Sequence, residues 1–285
     1  MPSVKHSTAL RMSTPRIGRS LTSAPALEVS NSHHLRKSAL TYHAGPVPLI
    51  ESLVNHGRKA SGKKQIPFRL SDIHPNLDAW MEHAALSDNL SFVPQPVDAS
   101  YPPFSVISTT TPGDKDLVFR AGLRSNGSKV FRLFCLAFHH FDNETASRVI
   151  KSTLETSDAF AIVELQDRRI GSLALMLLEF WLLLLVTVIW FWHDDVHLLL
   201  TYAIPILPAI HSWDVFVSCL RTRTFEETIR LVETVQGRKK GDHALKGNAV
   251  SVMRGDWMFS HSRTLHTWPV GYMVVTFGRK ISPSS

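Results

Sequence analysis

Cysteine is nearly absent from this chain, which has two, Cys135 and Cys219, among 285 residues. Both lie in apolar segments without the spacing of a disulfide framework, which favours a reducing compartment. The sequence also lacks a G-x-S-x-G nucleophile elbow, a phosphate-binding glycine loop and a C-x-x-C metal pair. These absences leave no sequence support for a serine hydrolase, a P-loop nucleotide-binding protein or a zinc module.

Acidic residues are missing from the start of the chain, where none precedes Glu28. This part is basic and rich in Ser, Thr and His, a composition shared by mitochondrial transit peptides and disordered tails. No amphipathic helix emerges, so we expect residues 1–42 to form a disordered basic tail. The formal net charge is +7, but no basic stripe is interleaved with aromatic residues. We therefore expect no nucleic-acid partner, and we attribute the charge to solvated loops or to attraction towards anionic lipid.

Two long apolar runs stand out in an otherwise ordinary composition. Residues 170–192 carry few polar side chains, and residues 196–217 form a second run that Pro205 and Pro208 interrupt. A helix of roughly 23 residues is long enough to cross a hydrocarbon core of about 30 Å. The pattern therefore predicts a membrane hairpin over residues 169–218, with the lipid bilayer as a partner.

The charges around this hairpin predict its orientation. The segment that connects its two arms, residues 193–195, is acidic. Both flanks of the hairpin are basic, through Arg168, Arg169, Arg221 and Arg223. The positive-inside tendency then places the globular part in the cytosol. A shallower alternative, in which the helices lie in one leaflet or cap a crevice, stays open because of the two prolines and three polar residues in the runs: Glu179, His211 and Asp214.

Outside the hairpin, apolar strands alternate with amphipathic helices. Residues 130–138 are almost continuously apolar, as expected of a parallel strand that is buried on both faces, and residues 159–163 form another such strand. Two strands near the end of the chain follow each other without a helix. We therefore predict an open α/β sheet, built from residues 43–168 and 219–281, with an antiparallel last strand.

Polar residues and a glycine recur where the predicted strands end. They are Gly45, Asp72, Asp98, His139 and Glu164. In open α/β sheets ligands bind beyond the carboxyl ends of the strands, and an acid after the second strand can accept hydrogen bonds from ribose hydroxyls. For any one Asp, a helix cap or a turn is the alternative role. No set of metal ligands accompanies these residues.

Several segments carry a resemblance to a known family. The segment Leu136-Ala137-Phe138-His139-His140-Phe141-Asp142 resembles the "LHHF" segment that follows the fourth strand of many class I S-adenosylmethionine-dependent methyltransferases. Four more segments resemble a fungal group of membrane-associated methyltransferase-like proteins that carry an apolar hairpin insertion: residues 70–75, 87–94, 154–158 and 266–271. The resemblance covers roughly residues 44–280.

This resemblance implies a Rossmann-like methyltransferase sheet and S-adenosylmethionine as the cofactor. Asp72 would then hold the cofactor ribose, Asp98 would lie beside the adenine, and Gly45 would belong to the binding turn. His139 or His140 would face the methyl acceptor as a general base. The alternative for both histidines is a structural role at the strand end.

The chain departs from the family pattern at its first strand. The family has an acid at the end of that strand and a glycine-rich turn after it, whereas only Ala44-Gly45-Pro46 remains here. Glycine is needed at such a turn because the backbone approaches the ligand closely. The sequence thus predicts methyl transfer to a small lipophilic acceptor by a sheet that is incomplete at its N-terminal strand. A catalytically inactive, membrane-anchored binding protein is the alternative.

A membrane di-iron hydroxylase is a weaker alternative, suggested by His193 and His197 beside the apolar hairpin. Such sites need several His-rich clusters of the HxxxH and HxxHH types. Leu136 stands where an HxxHH cluster around His139 and His140 would need its first His, and no other cluster completes the set.

Overall fold

The computed structural model describes residues 11–12, 45–103, 129–237 and 251–281. The strands within these ranges are β1 (Arg11–Met12), β2 (Phe68–Leu70), β3 (Leu90–Phe92), β4 (Phe131–Cys135), β5 (Ala159–Glu164), β6 (Ser251–Arg254), β7 (Trp257–Thr267) and β8 (Gly271–Lys280). The helices are α1 (Val47–Ala60), α2 (Leu77–Ala84), α3 (Asn143–Thr156), α4 (Ile170–Trp190), α5 (Asp195–Leu198), α6 (Ile206–Arg221) and α7 (Phe225–Val235). A 3₁₀ turn spans Phe138–His140, and a π-helical turn spans Leu199–Ala203. Apart from residues 11–12, the predicted tail lies outside the described residues.

The strands form one mixed sheet in the order β3-β2-β1-β4-β5-β8-β7-β6. β2 pairs in parallel with β3, and β4 pairs in parallel with β5. β8 lies between β5 and β7 and runs antiparallel to both. The predicted α/β class and the antiparallel last strand are therefore confirmed.

The strand at the centre of the sheet is much shorter than most of the others and antiparallel to both of its neighbours. β1 has two residues and fills the place between β2 and β4, and it runs antiparallel to both. The strand that the family pattern expects directly before Gly45 lies outside the described residues. Within the described ranges, the central place of the sheet is thus held by a short segment from the N-terminal part of the chain.

Side chains from alternate positions of the strands pack into two hydrophobic cores, one on each face of the sheet. Phe134, Phe160 and Ile162 pack on one face with α3 and α7. Phe68, Leu70 and Leu133 pack on the other face with α1 and α2. Residues of a strand point alternately to opposite faces, so the nearly continuous apolar strands that the sequence shows serve both layers.

Two helix starts follow their sequence signals. Thr224 Oγ1 accepts a hydrogen bond from the Glu227 amide at 3.2 Å, and the Glu227 carboxylate accepts one from the Thr224 amide at 2.8 Å, so the two residues form a capping box. Asp142 accepts from the Thr145 amide at 2.7 Å. That hydrogen bond holds the pKa of Asp142 below its usual range.

The apolar insertion is a hairpin whose two arms differ. α4 is one straight helix of 21 residues with a mean hydropathy of 2.4, and by length and composition it can cross a membrane. The returning arm consists of α5 with the π-helical turn and then α6, and these two parts meet at an angle of 72°. The break falls at Pro205, which lacks an amide hydrogen and begins a new helix. The interruption that the sequence shows at Pro205 is therefore a bend in the second arm of the predicted hairpin.

Candidate functional site

Three buried polar side chains meet the carboxyl edge of the sheet. Asp72 lies two residues beyond β2, His139 lies in the 3₁₀ turn after β4, and Glu164 is the last residue of β5. All three are almost fully buried. The elements that carry them are strands and a turn directly behind a strand, so their backbones are fixed by the sheet.

His139 and Glu164 form a buried pair. The distance from His139 Nδ1 to Glu164 Oε2 is 2.7 Å, and Glu164 Oε1 accepts from the His139 amide at 3.1 Å. An ionised carboxylate can only accept hydrogen bonds, so Nδ1 carries the proton in this arrangement and Nε2 keeps its lone pair. Among the described residues, no hydrogen bond reaches Nε2. His139 is therefore held in the tautomer of a general base.

The chain reaches this pair through a strained turn. Leu136 follows β4 with φ at 53°, a left-handed conformation that is uncommon for residues other than glycine. Its amide donates to Val163 O at 2.9 Å, which ties the turn to β5. Strain of this kind costs on the order of 1–3 kcal/mol and recurs at functional sites. The turn thereby directs the backbone from β4 so that His139 lies against the end of β5.

His140 has different surroundings. It is half-buried, and its ring centroid lies 4.2 Å from that of His139, at an angle of 41° between the ring planes. His140 thus packs beside the His139 ring, whereas the hydrogen bonds to Glu164 come from His139. The two histidines that the sequence presents as equivalent are distinguished by this geometry.

The three predicted cofactor residues differ in burial and in their contacts. Asp72 is buried, and its Oδ1 accepts from the His74 amide at 2.8 Å. Asp98 is exposed, and its carboxylate accepts from the amide and the hydroxyl of Ser100, each at 2.7 Å. Gly45 has φ at +72°, and a Cβ added there would meet no described atom within 4 Å. The backbone at Gly45 therefore uses the freedom that glycine provides, while Asp98 closes a local turn.

Glu164 is the candidate site residue to which the sequence analysis assigns no role. Its position at a strand end is visible in the sequence, but its pairing with His139 depends on the register of β4 and β5, in which Cys135 lies opposite Val163. Cys135 is also buried near this pair. Burial, and then the charge of Glu164, raise the pKa of its thiol to about 12. Cys135 is therefore protonated at neutral pH and is no nucleophile.

The base of the hairpin lies at this same edge. β8 begins beyond the end of β5, and the turn between β7 and β8 contacts the first turn of α4, where a Cβ on Gly171 would come within 2.9 Å of Val270. On the other arm, Arg223 follows α6 and donates to Phe138 O at 3.0 Å and to Phe141 O at 2.7 Å. The apolar helices and His139 are therefore joined through the 3₁₀ turn.

A cavity of about 320 Å³ lies at the opposite edge, beside the starts of β5 and β7. Its charged lining residues, Lys151, Glu155, Asp256 and Lys280, are all exposed. No buried acid or base points to chemistry there, so we place the candidate site at the carboxyl edge, where the buried pair lies.

The histidines of the di-iron alternative stack on aromatic rings. The His197 ring lies 4.0 Å from that of Phe191, and the His193 ring lies 3.5 Å from that of Trp192. In the described part of the chain, no group of three His, Cys, Asp or Glu side chains is arranged to hold a metal ion.

The carboxyl edge thus combines an oriented imidazole with a buried carboxylate beyond a neighbouring strand. Such a pair can take a proton from a hydroxyl or an amine whose oxygen or nitrogen reaches His139 Nε2. Comparisons of the chain with protein-family models, with curated proteins and with solved structures find no match.

Proposed function

We propose that this chain is a membrane-anchored enzyme that transfers a methyl group from S-adenosylmethionine to a small lipophilic acceptor. The observation that carries the proposal is the buried pair of His139 and Glu164 at the sheet edge where the apolar hairpin begins. The family that the sequence resembles has an alternating sheet with an antiparallel last strand. The order β5-β8-β7, with β8 antiparallel to both neighbours, supports that Rossmann-like assignment.

The residues at the sheet edge fit the cofactor in part. Asp72 offers a buried carboxylate beyond β2, where a ribose hydroxyl can donate to it. Gly45 combines a left-handed backbone with open space, as a turn that approaches a ligand closely requires. Asp98 fits less well, because it is exposed and its carboxylate closes a local turn with Ser100. Gly45 and Asp72 would therefore hold the cofactor, and Asp98 would border it through its backbone turn.

His139 is the general base in this proposal, and Glu164 is its positioning residue. S-adenosylmethionine supplies an electrophilic methyl group when it is bound. His139 Nε2 would remove the proton of the acceptor hydroxyl or amine as the acceptor atom takes the methyl group, and the cofactor's methyl–sulfur bond would break to leave a neutral thioether. Glu164 keeps Nδ1 protonated and stabilises the imidazolium that results. The proton thus ends on His139 and later returns to solvent.

The hairpin indicates where the acceptor comes from. The helix α4 exposes large apolar side chains along its length, among them Leu178, Trp181 and Leu185. Such a surface is stable in lipid and not in water. Because the base of the hairpin contacts the 3₁₀ turn that carries His139, an acceptor dissolved in the bilayer has a short route to the base.

We place the globular part on the cytosolic side of the membrane, from the arginines at the hairpin base. Three of them have partners in the fold: Arg168 pairs with Glu227 at 2.8 Å, Arg169 pairs with Asp167 at 3.6 Å, and Arg223 donates to carbonyl oxygens of the 3₁₀ turn. Arg169 and Arg221 remain largely exposed and provide most of the positive charge at this end.

The test is methyl transfer by the full chain in lipid vesicles. Vesicles that contain a total bilayer lipid extract are incubated with S-adenosylmethionine labelled in its methyl group, and label in the lipid fraction is counted. We expect His139→Gln to lower the rate by about 10²-fold or more, since general-base catalysis contributes about 10²–10⁴-fold. The matched control is His56→Gln, at an exposed position of α1. Equal rates for wild type and His139→Gln would refute the assignment of the base.

A second candidate is a membrane-anchored binding protein without catalysis. The observation that favours it is β1, a two-residue antiparallel strand in the central place of the sheet, where the resembled family has a parallel strand leading into its glycine-rich turn. This candidate predicts vesicle association by the wild-type chain without any transfer of label to lipid. The same vesicle experiment therefore decides between the two candidates.

A further inference from the structure

The hairpin has an unusual distribution of polarity. The buried residues of α4 are Ser172 and Thr187, and those of α6 include Ser212 and Ser218. Its large apolar side chains are exposed instead; in α4 they include Leu178, Trp181, Leu182, Leu185 and Ile189. In membranes, small and polar residues face neighbouring helices while apolar residues face lipid. The seam between α4 and α6 is therefore polar, within an apolar outer surface.

An ion pair or hydrogen bond lies midway along this seam. Glu179 of α4 and His211 of α6 approach to 3.1 Å between Oε1 and Nε2. Glu179 is nine residues beyond the start of α4, which corresponds to about 13 Å along a helix axis. In a hydrocarbon core of about 30 Å this depth is close to the middle. Ionisable residues at that depth are costly and mark functional sites by default.

The seam also contains polar atoms that lack partners. Within the described ranges, Glu179 Oε2, Ser212 Oγ and Thr201 Oγ1 are buried and make no hydrogen bond. Ser212 directly follows His211 in the chain, and Ser212 is 7% exposed. A buried polar group without a partner costs about 1–3 kcal/mol in proteins, and more in hydrocarbon. A polar group from another molecule would therefore stabilise the seam by forming hydrogen bonds with these atoms, which have no such partner among the described residues.

Tyr202 joins the returning arm to α4. Its hydroxyl donates to Leu184 O and accepts from the Val188 amide at 3.2 Å. This contact ties the π-helical turn to α4, and Thr201 lies beside it in the chain. The bend at Pro205 follows at once, and α6 leaves it at an angle of 72° to the preceding part of the arm.

We propose that the Glu179–His211 seam binds the hydroxyl group of a neutral molecule dissolved in the bilayer. A hydroxyl can donate to Glu179 Oε2 and accept from Ser212 Oγ, which satisfies a lone acceptor and a lone donor together. A neutral ligand adds no charge at this depth of the membrane, where a charged group is costly. The inference rests on the membrane location proposed above, but it is independent of methyl transfer.

The test uses photoreactive lipids and the full chain in nanodiscs. Three probes carry a diazirine on the same long chain: one ends in a primary hydroxyl, one in a methyl ether and one in a methyl group. Labelled peptides are located by mass spectrometry. We expect the alcohol to label the segments of α4 and α6 at least about tenfold more than the ether, since the ether cannot donate to a carboxylate.

Variants locate the binding to the seam. Ser212→Ala and Glu179→Gln are expected to bring the ratio of alcohol to ether labelling close to one. Leu182→Ala, at a position that faces outward, is the control that keeps the ratio. Equal labelling by alcohol and ether in the wild type, or an unchanged ratio in Glu179→Gln, would overturn the site. Absence of labelling by the methyl-ended probe would refute the membrane location itself, and with it the site.

Discussion

At the scale of single residues, the most informative side chain is His139. The sequence shows two adjacent histidines after an apolar strand, and it gives no means of telling them apart. Their difference arises from Glu164, which binds both the ring and the amide of His139. Strand ends can be predicted from apolar runs, and so Asp72, His139 and Glu164 could be placed at one edge. The contact between two of them depends on strand register, which no local pattern encodes.

His261 in β7 is expected to make the stability of the protein depend on pH. Its burial and the charge of Arg169 hold its pKa below the ordinary value of 6.5. The folded chain thus favours the neutral ring, and the unfolded chain binds the proton more readily. The free energy of unfolding should therefore fall as the pH drops through the range below about 6.5.

The variant His261→Phe tests this dependence. Its ring would keep the contact with Phe225, whose centroid lies 5.3 Å from that of His261. Melting temperatures of both proteins are measured in detergent from about pH 8 to about pH 5. We expect the variant to lose less stability than the wild type over this range. Parallel losses would show that His261 does not contribute to the pH dependence.

At the scale of elements, the pairing of β5 with β8 depends on one glycine. A Cβ at Gly278 would overlap the ring of Phe160, which is fully buried in the core. We expect Gly278→Ala to destabilise the protein by about 1–3 kcal/mol, as overpacking usually does. The measurement is denaturant unfolding in detergent.

Gly57 in α1 provides the matched control for this prediction. A Cβ there meets no described atom within 4 Å, and alanine is favoured over glycine inside a helix by about 0.5–1 kcal/mol. Gly57→Ala should thus leave the stability unchanged or raise it. If Gly278→Ala were as stable as Gly57→Ala, the close packing of β8 on Phe160 would be wrong.

The turn between β7 and β8 is an element that we expect at the membrane surface. It contacts the first turn of α4, and its Trp268 is 83% exposed. Tryptophan is enriched at membrane interfaces because its ring is apolar with one polar group. Lipids brominated near the headgroup should therefore quench part of the protein fluorescence through Trp268, and Trp268→Phe should lower the quenched fraction.

The control for this experiment is Trp80→Phe, because Trp80 is buried against α2 neighbours and the sheet. Its replacement should leave quenching of the exposed tryptophans intact. An equal quenched fraction in wild type and Trp268→Phe would contradict contact of this turn with lipid.

The apolar hairpin shows how far prediction of elements could go. Length and apolar composition sufficed to predict α4, because a long uninterrupted apolar run is typical of a helix that can cross a membrane. Pro205 marked the break in the second arm, but the bend of 72° depends on how the π-helical turn packs against α4. The polar seam could not be foreseen either, because it requires knowledge of which faces of two helices meet.

At the scale of the whole molecule, the features on which the proposed function rests lie at one edge of the sheet. The His139–Glu164 pair, the hairpin base and the turn between β7 and β8 all lie beyond the carboxyl ends of β4 and β5. The alternating sequence pattern predicts this edge as the ligand side of an open sheet. The pattern could not predict β1, because a two-residue strand far from its partners in the chain leaves no periodic signal.

The central claim is that this edge binds S-adenosylmethionine, and a calorimetric titration of the full chain in detergent tests it most directly. We predict saturable heat for the wild type, roughly tenfold weaker binding for Asp72→Asn through loss of a charge-assisted hydrogen bond, and unchanged binding for Asp98→Asn. A folded wild-type protein that shows neither heat nor thermal protection at millimolar ligand would contradict the account.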